Sequence, residues 1–376
     1  MQSRYGSDRS STLPASDRRP APFARQDVTL REGYHSPQVE VDVRLNTNEC
    51  PEPPPEEYLA ELAEIARHLD ANRYPDRQAS ALGTALADHH GVSPGQVFCA
   101  NGSNEVLQCL LLAFGGAGRA ALVFEPTYAL HSHIARLTAT DVLTGERDDR
   151  FAVDADRALE VIAEHRPDVV FLCSPNNPTG NSEPRATVEA IARAAPGLVV
   201  VDEAYAQFSP WSATELLESF GNLVVVRTFS KTWALAALRL GYLLADPKVV
   251  EACSSVVLPY HLDSFKQEAG IAALRYDQAM RERVARLAEE RGRVVAGLSA
   301  LLLDVWPSDA NFILFRPRDV DSQRVWQGLV DRSVLIRDVS GFPKLEGYLR
   351  VTIGTPEENT RFLEALGDVL GEVAGH

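Results

Sequence analysis

Six short apolar segments between residues 97 and 245 constrain the fold more than any other feature of the chain. Each is four to six residues long and rich in apolar side chains, and helix-like patterns separate most of them. Continuous apolar strands of this length are typical of sheets that helices cover on both faces. The pattern predicts an α/β domain with a mostly parallel sheet and a functional site in the loops beyond the strand ends. The segments are VFCA (97–100), ALVF (121–124), VVFLC (169–173), LVVVD (198–202), LVVVR (223–227) and LGYLLA (240–245).

The C-terminal part of the chain has a different pattern. A long charged stretch, from about residue 266 to 303, has apolar residues at helical spacing and predicts one long helix with a buried stripe. Short strand and helix patterns follow it, which predicts a smaller α+β domain. The predicted elements are strands near 311–315, 334–336 and 348–353, a helix near 322–332 and a last helix from Pro356.

The length of 376 residues fits one large and one smaller domain. Residues 1–25 are rich in Ser, Arg, Asp and Pro, and this composition predicts a disordered leader. We expect residues 26–55 to form an N-terminal arm that belongs to the small domain and reaches the active site. The large domain is expected at 56–260, and the interdomain helix with the small C-terminal domain at 261–376.

The composition argues against several classes of partner. With 37 Lys and Arg against 52 Asp and Glu, the formal net charge is −15, which repels phosphate backbones and anionic membranes. No apolar run has the length of a membrane-spanning helix, and the N-terminus lacks the apolar core of a signal peptide. Five irregularly spaced cysteines without a CxxC pair are typical of reduced thiols. We therefore expect a cytoplasmic protein that binds neither nucleic acid nor membranes.

Two of the loops after predicted strands carry polar residues suited to binding a ligand. The loop Ser174–Gly180 (SPNNPTG) follows VVFLC, and its prolines, asparagines and glycine predict a tight turn. Asp202 ends the strand LVVVD, where a carboxylate is costly unless a cation meets it. Each feature also has an ordinary explanation, since the first could be a simple turn and Asp202 could cap the next segment.

A third loop, RTFSK (227–231), supplies a lysine and is followed by Arg239. A lysine in a cleft near positive groups can lose its proton and act as a nucleophilic amine. Thr228, Ser230 and Arg239 are residue types that bind phosphate. Taken alone, Lys231 is more simply explained as a surface lysine, but the three loops occur together and each follows a strand.

In sequence motifs, the chain from about Arg31 to Thr360 resembles the pyridoxal-phosphate-dependent aminotransferases of fold type I, and among them the histidinol-phosphate aminotransferases. Single motifs such as NPTG are weakly specific, whereas all of them in order are a strong signal. The motifs are LNTNECP (45–51), RYPD (73–76), NGSNE (101–105), EPTY (125–128), SPNNPTG (174–180), VVDEAY (200–205), RTFSK (227–231), LRLGY (238–242), DANFILF (309–315), LIRD (335–338) and LRVTIGT (349–355).

The resemblance implies a large domain that binds pyridoxal 5′-phosphate (PLP) on a mostly parallel seven-stranded sheet. In that family pattern Lys231 would form a Schiff base with the cofactor and Asp202 would pair with its ring nitrogen. Tyr205 and Asn177 would hydrogen-bond the phenolic oxygen, and Tyr128 would stack on the ring. The cofactor phosphate would bind at the start of a helix, where its cradle would comprise Ser103, Asn104, Thr228, Ser230 and Arg239.

The resemblance also implies a homodimer with shared active sites, in which Tyr74 would reach the phosphate of the neighbouring subunit. Arg350 resembles the arginine that binds a substrate carboxylate, and Arg337 would join it at a substrate phosphate or the carboxylate of glutamate. Tyr34 and Asn48 would close over the substrate. A surface ion pair for Arg337 and a packed aromatic for Tyr34 are equally simple explanations.

The activity that the resemblance implies is transfer of an amino group from L-histidinol phosphate to 2-oxoglutarate, in histidine biosynthesis. The alternatives are an aromatic or specialised-pathway amino donor, a PLP lyase or decarboxylase of a phosphorylated amino acid, and a cofactor-free binding protein. No metal site is expected, because His131 and His133 have no second ligand set near them.

Four residues depart from the family pattern. Where this chain has Ala237, the family commonly has Gly, and where it has Trp233, a smaller aromatic residue. The positions of Asp263 and Lys266 commonly hold smaller polar residues. The extra methyl of Ala237 could shift the backbone that presents Arg239. None of the four touches the cofactor roles, but together they leave the substrate open.

Overall fold

The computed structural model describes residues 39–301 and 303–374. The strands, in chain order, are β1 (Val43–Leu45), β2 (Val97–Ala100), β3 (Ala120–Glu125), β4 (Asp141–Glu146), β5 (Val169–Cys173), β6 (Leu198–Asp202), β7 (Leu223–Thr228), β8 (Gly241–Leu244), β9 (Asp304–Val305), β10 (Phe312–Arg316), β11 (Val334–Asp338) and β12 (Leu349–Thr352). The predicted leader, residues 1–25, lies outside the described residues, as does Tyr34.

Helices surround these strands. The helices are α1 (Glu56–His68), α2 (Ser80–His90), α3 (Ser103–Phe114), α4 (Leu130–Leu137), α5 (Ala155–His165), α6 (Arg185–Ala194), α7 (Pro247–Val256), α8 (Ser264–Leu274), α9 (Asp277–Ala300), α10 (Ser322–Asp331) and α11 (Pro356–Ala374). Within the described part of the chain, none of them has both the length and the apolar character needed to cross a bilayer.

The large sheet has seven strands in the order β2-β8-β7-β6-β5-β3-β4. β8 runs antiparallel to both of its neighbours, and the other pairs are parallel. The predicted α/β class with a mostly parallel sheet is therefore confirmed. Because β5, β6 and β7 are parallel neighbours, their carboxyl ends meet at one edge, and so do the three polar loops that follow them.

The six apolar segments predicted as strands all lie in this sheet, but the sequence analysis missed β4. This strand is at the sheet edge, and only Gly145 among its six residues is buried. An edge strand that packs on few neighbours keeps its polar residues, and its sequence DVLTGE therefore lacks the continuous apolar pattern of the central strands.

The single helix predicted at 266–303 is wrong, because the chain forms two helices there. α8 ends at Leu274 and α9 begins at Asp277, and the linking residues close two short turns through Arg275 N to Ala272 O and Tyr276 N to Ala273 O. The Tyr276 ring packs edge-on against Tyr58, with ring centroids 5.5 Å apart. No Gly or Pro marks this break, so tertiary packing rather than local sequence places it.

A second sheet has five strands in the order β1-β11-β12-β10-β9. β1, from the N-terminal part of the chain, pairs parallel with β11, which lies almost 300 residues later. A separate hydrophobic core forms between this sheet and α9, α10 and α11. The residues after β1 consequently reach the junction of the two sheets, where the site lies. The predicted domain boundaries at 55/56 and 260/261 remain predictions.

Candidate active site

A cavity of about 420 Å³ lies at the edge of the large sheet where β5, β6 and β7 end, and the second sheet forms its other wall. Every predicted site residue that the structure describes lines this cavity, apart from Tyr74. These residues are Asn48, Ser103, Asn104, Tyr128, Asn177, Asp202, Tyr205, Thr228, Ser230, Lys231, Arg239, Arg337 and Arg350.

Lys231 projects into the cavity directly after β7. Its Nζ donates a hydrogen bond to the carbonyl oxygen of Thr47, 3.1 Å away, in the segment that follows β1. Burial, together with the positive charges of Arg350 and Arg239, lowers the pKa of Lys231 to about 8 against the opposing effect of Glu49. The lowered pKa increases the uncharged fraction of this amine near neutral pH, and a nucleophile or base must be uncharged.

Asp202 ends β6 and is almost fully buried. Its Oδ2 is 3.0 Å from Nε2 of His131, and its Oδ1 accepts a hydrogen bond from the backbone N–H of Ala204. The His131 ring lies in α4 with no exposed surface, and it stacks on Phe171 of β5 at 4.7 Å. Asp202 is thereby held in one orientation with its carboxylate at the cavity wall.

His131 is the functional candidate that the sequence analysis missed. The sequence analysis considered it only as a metal ligand and rejected that role, whereas the structure places it against Asp202. The two residues are 71 positions apart, and β5 lies between the strands that lead to them. Only the strand order brings them together, so no local pattern in the sequence could have indicated the pair.

A second set of hydrogen bonds connects the two sheets across the cavity. The Nδ2 of Asn48 donates to the hydroxyl of Tyr205 at 2.9 Å, and Thr352 Oγ1 donates to Asn48 Oδ1 at 3.1 Å. Arg350 donates through Nη1 to Asn177 Oδ1 at 2.5 Å. Asn48, predicted to close over a substrate, is thus buried and bonded to Tyr205 while it lines the cavity.

The start of α3 forms one end of the cavity and is suited to binding an anion. Its N-cap residue, Gly102, offers no side chain to the first N–H groups of the helix, which include those of Ser103 and Asn104. Opposite them, Thr228 Oγ1 donates to Ser230 Oγ at 3.0 Å, and Arg239 Nη1 donates to the same oxygen at 3.3 Å. We call these five residues (Ser103, Asn104, Thr228, Ser230 and Arg239) the anion cradle.

Two glycines allow the backbone of the anion cradle to pack this closely. A Cβ on Gly241 would lie 2.3 Å from the backbone nitrogen of Ser103, so β8 can approach α3 only without a side chain there. Gly102 has a φ of +81°, and a Cβ on it would lie 2.7 Å from Nη2 of Arg239. The cradle therefore depends on backbone shape as well as on its polar side chains.

Arg337 and Arg350 are directly opposite each other on the antiparallel strands β11 and β12. Opposed residues of this kind have side chains on the same face, with Cβ atoms roughly 5 Å apart. Both arginines are largely buried and line the cavity at its second-sheet wall. The cavity lining therefore has four cationic side chains (Lys231, Arg239, Arg337 and Arg350) against two acidic ones, Glu49 and Asp202, which favours anionic ligands despite the acidic composition of the chain.

Tyr74 lies outside the cavity of its own chain. It is 81% exposed, and its ring stacks on that of Tyr260 with centroids 4.5 Å apart. Leu258 is also exposed beside this pair in the sequence, so large apolar side chains remain uncovered here. The structure therefore does not bring Tyr74 to the site with the other predicted residues.

The departures from the family pattern lie close to the site. Ala237 lines the cavity in a short 3-10 turn before Arg239, yet Arg239 still reaches Ser230. Trp233 is buried on the other side of this loop, where it packs against Phe229 with ring centroids 5.4 Å apart. The indole thus belongs to the core beneath the loop, and it does not contact the cavity.

The sequence profile of the class I and II aminotransferases matches residues 40–366. The chain is also 51% identical to a histidinol-phosphate aminotransferase of Thermobifida fusca, over 91% of this chain and 94% of that protein. The chain belongs to the histidinol-phosphate aminotransferase family, within the class I and II aminotransferases. This result confirms the predicted aminotransferase activity, and this aminotransferase family depends on PLP.

Solved structures show the same fold around the aminotransferase site. The histidinol-phosphate aminotransferase of Sinorhizobium meliloti in complex with pyridoxal-5′-phosphate has a TM-score of 0.81 and 26% identity, and the match covers 89% of this chain and 92% of that one. The L-threonine-O-3-phosphate decarboxylase of Porphyromonas gingivalis has a TM-score of 0.76 at 23% identity, and the match covers 88% of this chain and 99% of that chain. The fold alone therefore does not decide between amino transfer and decarboxylation.

Proposed function

We propose that this aminotransferase exchanges the amino group of L-histidinol phosphate with 2-oxoglutarate, a step of histidine biosynthesis, with PLP held at Lys231. One observation carries the proposal. The amine of Lys231, with its pKa lowered to about 8, faces the same cavity as the opposed pair Arg337 and Arg350. A reactive amine and two guanidinium groups suit a cofactor aldehyde and an anionic substrate respectively.

The residues of the cavity fit PLP group by group. The uncapped start of α3 and the rest of the anion cradle provide donors for a phosphate. Asp202, held by His131, would face the pyridine nitrogen, and Tyr205 with Asn177 would bind the phenolic oxygen. Tyr128, whose hydroxyl donates to Asn104 at 3.1 Å, would pack on the ring.

PLP, when bound, supplies an electron sink for the bond that breaks at the amine-bearing carbon. The protein supplies the proton transfer, because Lys231 Nζ can take up a proton at neutral pH and return it. A buried carboxylate such as that of Asp202 is stabilised by a cationic partner, and a protonated ring nitrogen would provide that cation. His131 fixes the orientation of the Asp202 carboxylate that such a pairing would require.

Both proposed substrates are anions, and one site must bind them in turn. L-Histidinol phosphate brings a phosphate group, whereas 2-oxoglutarate and glutamate bring two carboxylates. Guanidinium groups bind either of these groups with two parallel hydrogen bonds. Arg350 and Arg337 would therefore hold the distal anion of each substrate, while Asn48 closes the cavity from the side of β1.

We further propose a homodimer in which Tyr74 completes the phosphate site of the neighbouring subunit. Support comes from its position, since Tyr74 is exposed beside Tyr260 and Leu258 and does not line its own cavity. Exposed aromatic and aliphatic side chains in one region favour an interface. We also propose a cytoplasmic location, which the five free cysteines support.

A half-reaction screen tests the proposed activity. The purified PLP-loaded enzyme would be mixed with one amino donor at a time, and the absorbance change of the cofactor would be followed in a stopped-flow instrument. We expect the largest kcat/KM for L-histidinol phosphate, and full recovery of the starting spectrum when 2-oxoglutarate is added. A larger value for phenylalanine or tyrosine would replace the proposed donor, and release of carbon dioxide from phosphothreonine would indicate a decarboxylase.

A further inference from the structure

The first turn of α8 contacts the segment that leads into the anion cradle. Lys266 Nζ donates to Asn101 Oδ1 at 2.8 Å and also pairs with Asp263 at 2.9 Å. Asp263 is the N-cap of α8 and accepts from the backbone N–H of Lys266. The ammonium group is thus held at a fixed point on a well-capped helix.

Asn101 is the residue before Gly102, and all of its side-chain groups are engaged. Its Nδ2 donates to Glu105 Oε2 at 2.9 Å and to the carbonyl of His261 at 2.8 Å, and its backbone N–H donates to the same Glu105 oxygen at 2.6 Å. Lys266 is the donor to the remaining amide oxygen. The lysine therefore completes the set of bonds that fixes the turn at residues 101–103.

The position of this turn decides the geometry of the anion cradle. Gly102 has a φ of +81°, and a Cβ on it would lie 2.7 Å from Nη2 of Arg239, while β8 packs closely against Ser103 at Gly241. A turn so closely confined transmits small shifts to the N–H groups at the start of α3. A residue that restrains Asn101 consequently restrains those donors.

The same turn of α8 holds a second segment that we assign to phosphate binding. Gln267, the neighbour of Lys266, donates through Nε2 to the carbonyl of Asp76 at 2.9 Å. Asp76 lies two residues after Tyr74, and its side chain accepts a hydrogen bond from the backbone N–H of Ser80, the first residue of α2. One helical turn therefore links the anion cradle of its own subunit to the segment proposed to serve the neighbouring one.

We propose that Lys266 is a positioning residue for the cofactor phosphate, acting through Asn101 on the N–H donors at the start of α3. The inference rests on the proposed binding of PLP in this cavity. It assigns to Lys266 an effect on the phosphate end of the cofactor alone, because its side chain contacts Asn101, two residues before the cradle, and Asp263. Neither contact involves Lys231 or Asp202.

Comparison of PLP with pyridoxal, which lacks the phosphate, tests the inference. Equilibrium dissociation constants of both ligands would be measured on the apoenzyme by absorbance titration in a buffer without phosphate or sulfate. For Lys266→Met, which keeps the length of the side chain and removes its charge, we expect the dissociation constant of PLP to increase about threefold to tenfold. The value for pyridoxal should stay within about twofold of the wild type.

Two further variants serve as controls. Lys266→Arg keeps a donor for Asn101 and should recover most of the PLP affinity. Lys248→Met removes the same charge from an exposed position on α7 and should leave both constants within about twofold of the wild type. If Lys266→Met weakened the binding of PLP and of pyridoxal equally, or weakened neither, the proposed role of Lys266 would be overturned. A wild-type apoenzyme that fails to bind PLP would instead overturn the proposed function.

Discussion

The two ends of the cavity are built in different ways. At the anion cradle, backbone N–H groups and two glycines that permit close packing determine the shape, and the residues come from the ends of strands in one sheet. At the opposite wall, two long arginine side chains on β11 and β12 define the site. The shape of the first end is determined by the polypeptide backbone, and that of the second by side chains.

This difference indicates which end can change during evolution without loss of the fold. An altered backbone at Gly102 or Gly241 would displace several donors at once, whereas an exchange at Arg337 changes a single side chain. We therefore expect the cofactor end to tolerate little substitution and the substrate end to tolerate more. The following experiments test this contrast, beginning with the residue that lies between the two ends.

Replacement of Lys231 should have the largest effect on activity. Lys231→Ala removes the amine and with it the proton acceptor, so we expect kcat to decrease by about 10⁴-fold or more. The fold should remain, because the substitution also removes a buried cation. Turnover by single-turnover kinetics and unfolding by circular dichroism would check both statements, and transamination near the wild-type rate would refute the central assignment.

Gly241→Ala should damage the cofactor end through the backbone. The new Cβ would lie 2.3 Å from the backbone nitrogen of Ser103, and the backbone there can move only at a high energetic cost. We therefore expect PLP affinity to decrease about a hundredfold. Gly292→Ala is the matched control, since Gly292 lies in α9 with no atom near a new Cβ, and it should slightly stabilise the fold. Equal PLP affinities in the two variants would contradict the proposed backbone constraint.

Arg337→Ala should affect the substrate end and spare the cofactor. We expect KM for L-histidinol phosphate to increase about thirtyfold, because a charge-assisted hydrogen bond is lost, and KM for an unphosphorylated donor such as phenylalanine to change much less. Arg324→Ala, at an exposed position of α10, is the control. A uniform increase in KM for both donors would show that Arg337 does not bind the phosphate.

The pKa of Lys231 predicts a dependence of cofactor uptake on pH. Only the uncharged amine reacts with an aldehyde, and with a pKa of about 8 the uncharged fraction increases about tenfold between pH 7 and pH 9. The rate of PLP uptake by the apoenzyme should increase by the same factor and then level off. A rate that continued to increase to pH 10 would mean that the pKa has its ordinary value near 10.5.

The same pKa shift has a consequence for the apoenzyme. Because the unfolded chain binds the proton of Lys231 more tightly, the folded apoenzyme should become more stable as the pH increases from about 8 to about 10.5. Denaturant unfolding of the wild type and of Lys231→Met over this range would measure the effect. The difference in the free energy of unfolding between the two proteins should become smaller as the pH increases. A constant difference would show that the titration of Lys231 does not cause the pH dependence.

Most of the large sheet could be predicted from the sequence because its central strands are buried on both faces. Val199, Val200 and Val201 have no exposed surface, and such strands have a continuous apolar sequence. The edge strand β4 and the break between α8 and α9 could not be predicted in this way. Their positions depend on what packs against them, and the local sequence does not carry that information.

The candidate site also has residues that the sequence predicts and residues that it does not. Lys231, Asp202 and Asn177 each follow a predicted strand, so their meeting at one edge follows from a parallel sheet. His131 could not be assigned, because its contact with Asp202 depends on the order of the strands. The buried pair of Arg147 and Glu183, which joins the loop after β4 to the segment before α6, is hidden from local patterns for the same reason.

The parallel pairing of β1 with β11 has a consequence for the order of events during synthesis. The segment from Asn46 to Glu49 contains the carbonyl of Thr47 that accepts the hydrogen bond from Lys231, and it leaves the ribosome long before β11 is translated. Its partner strand is translated almost 300 residues later. A nascent chain shorter than about 340 residues thus lacks β11, the strand with which β1 pairs. The cavity is therefore completed only as translation nears its end.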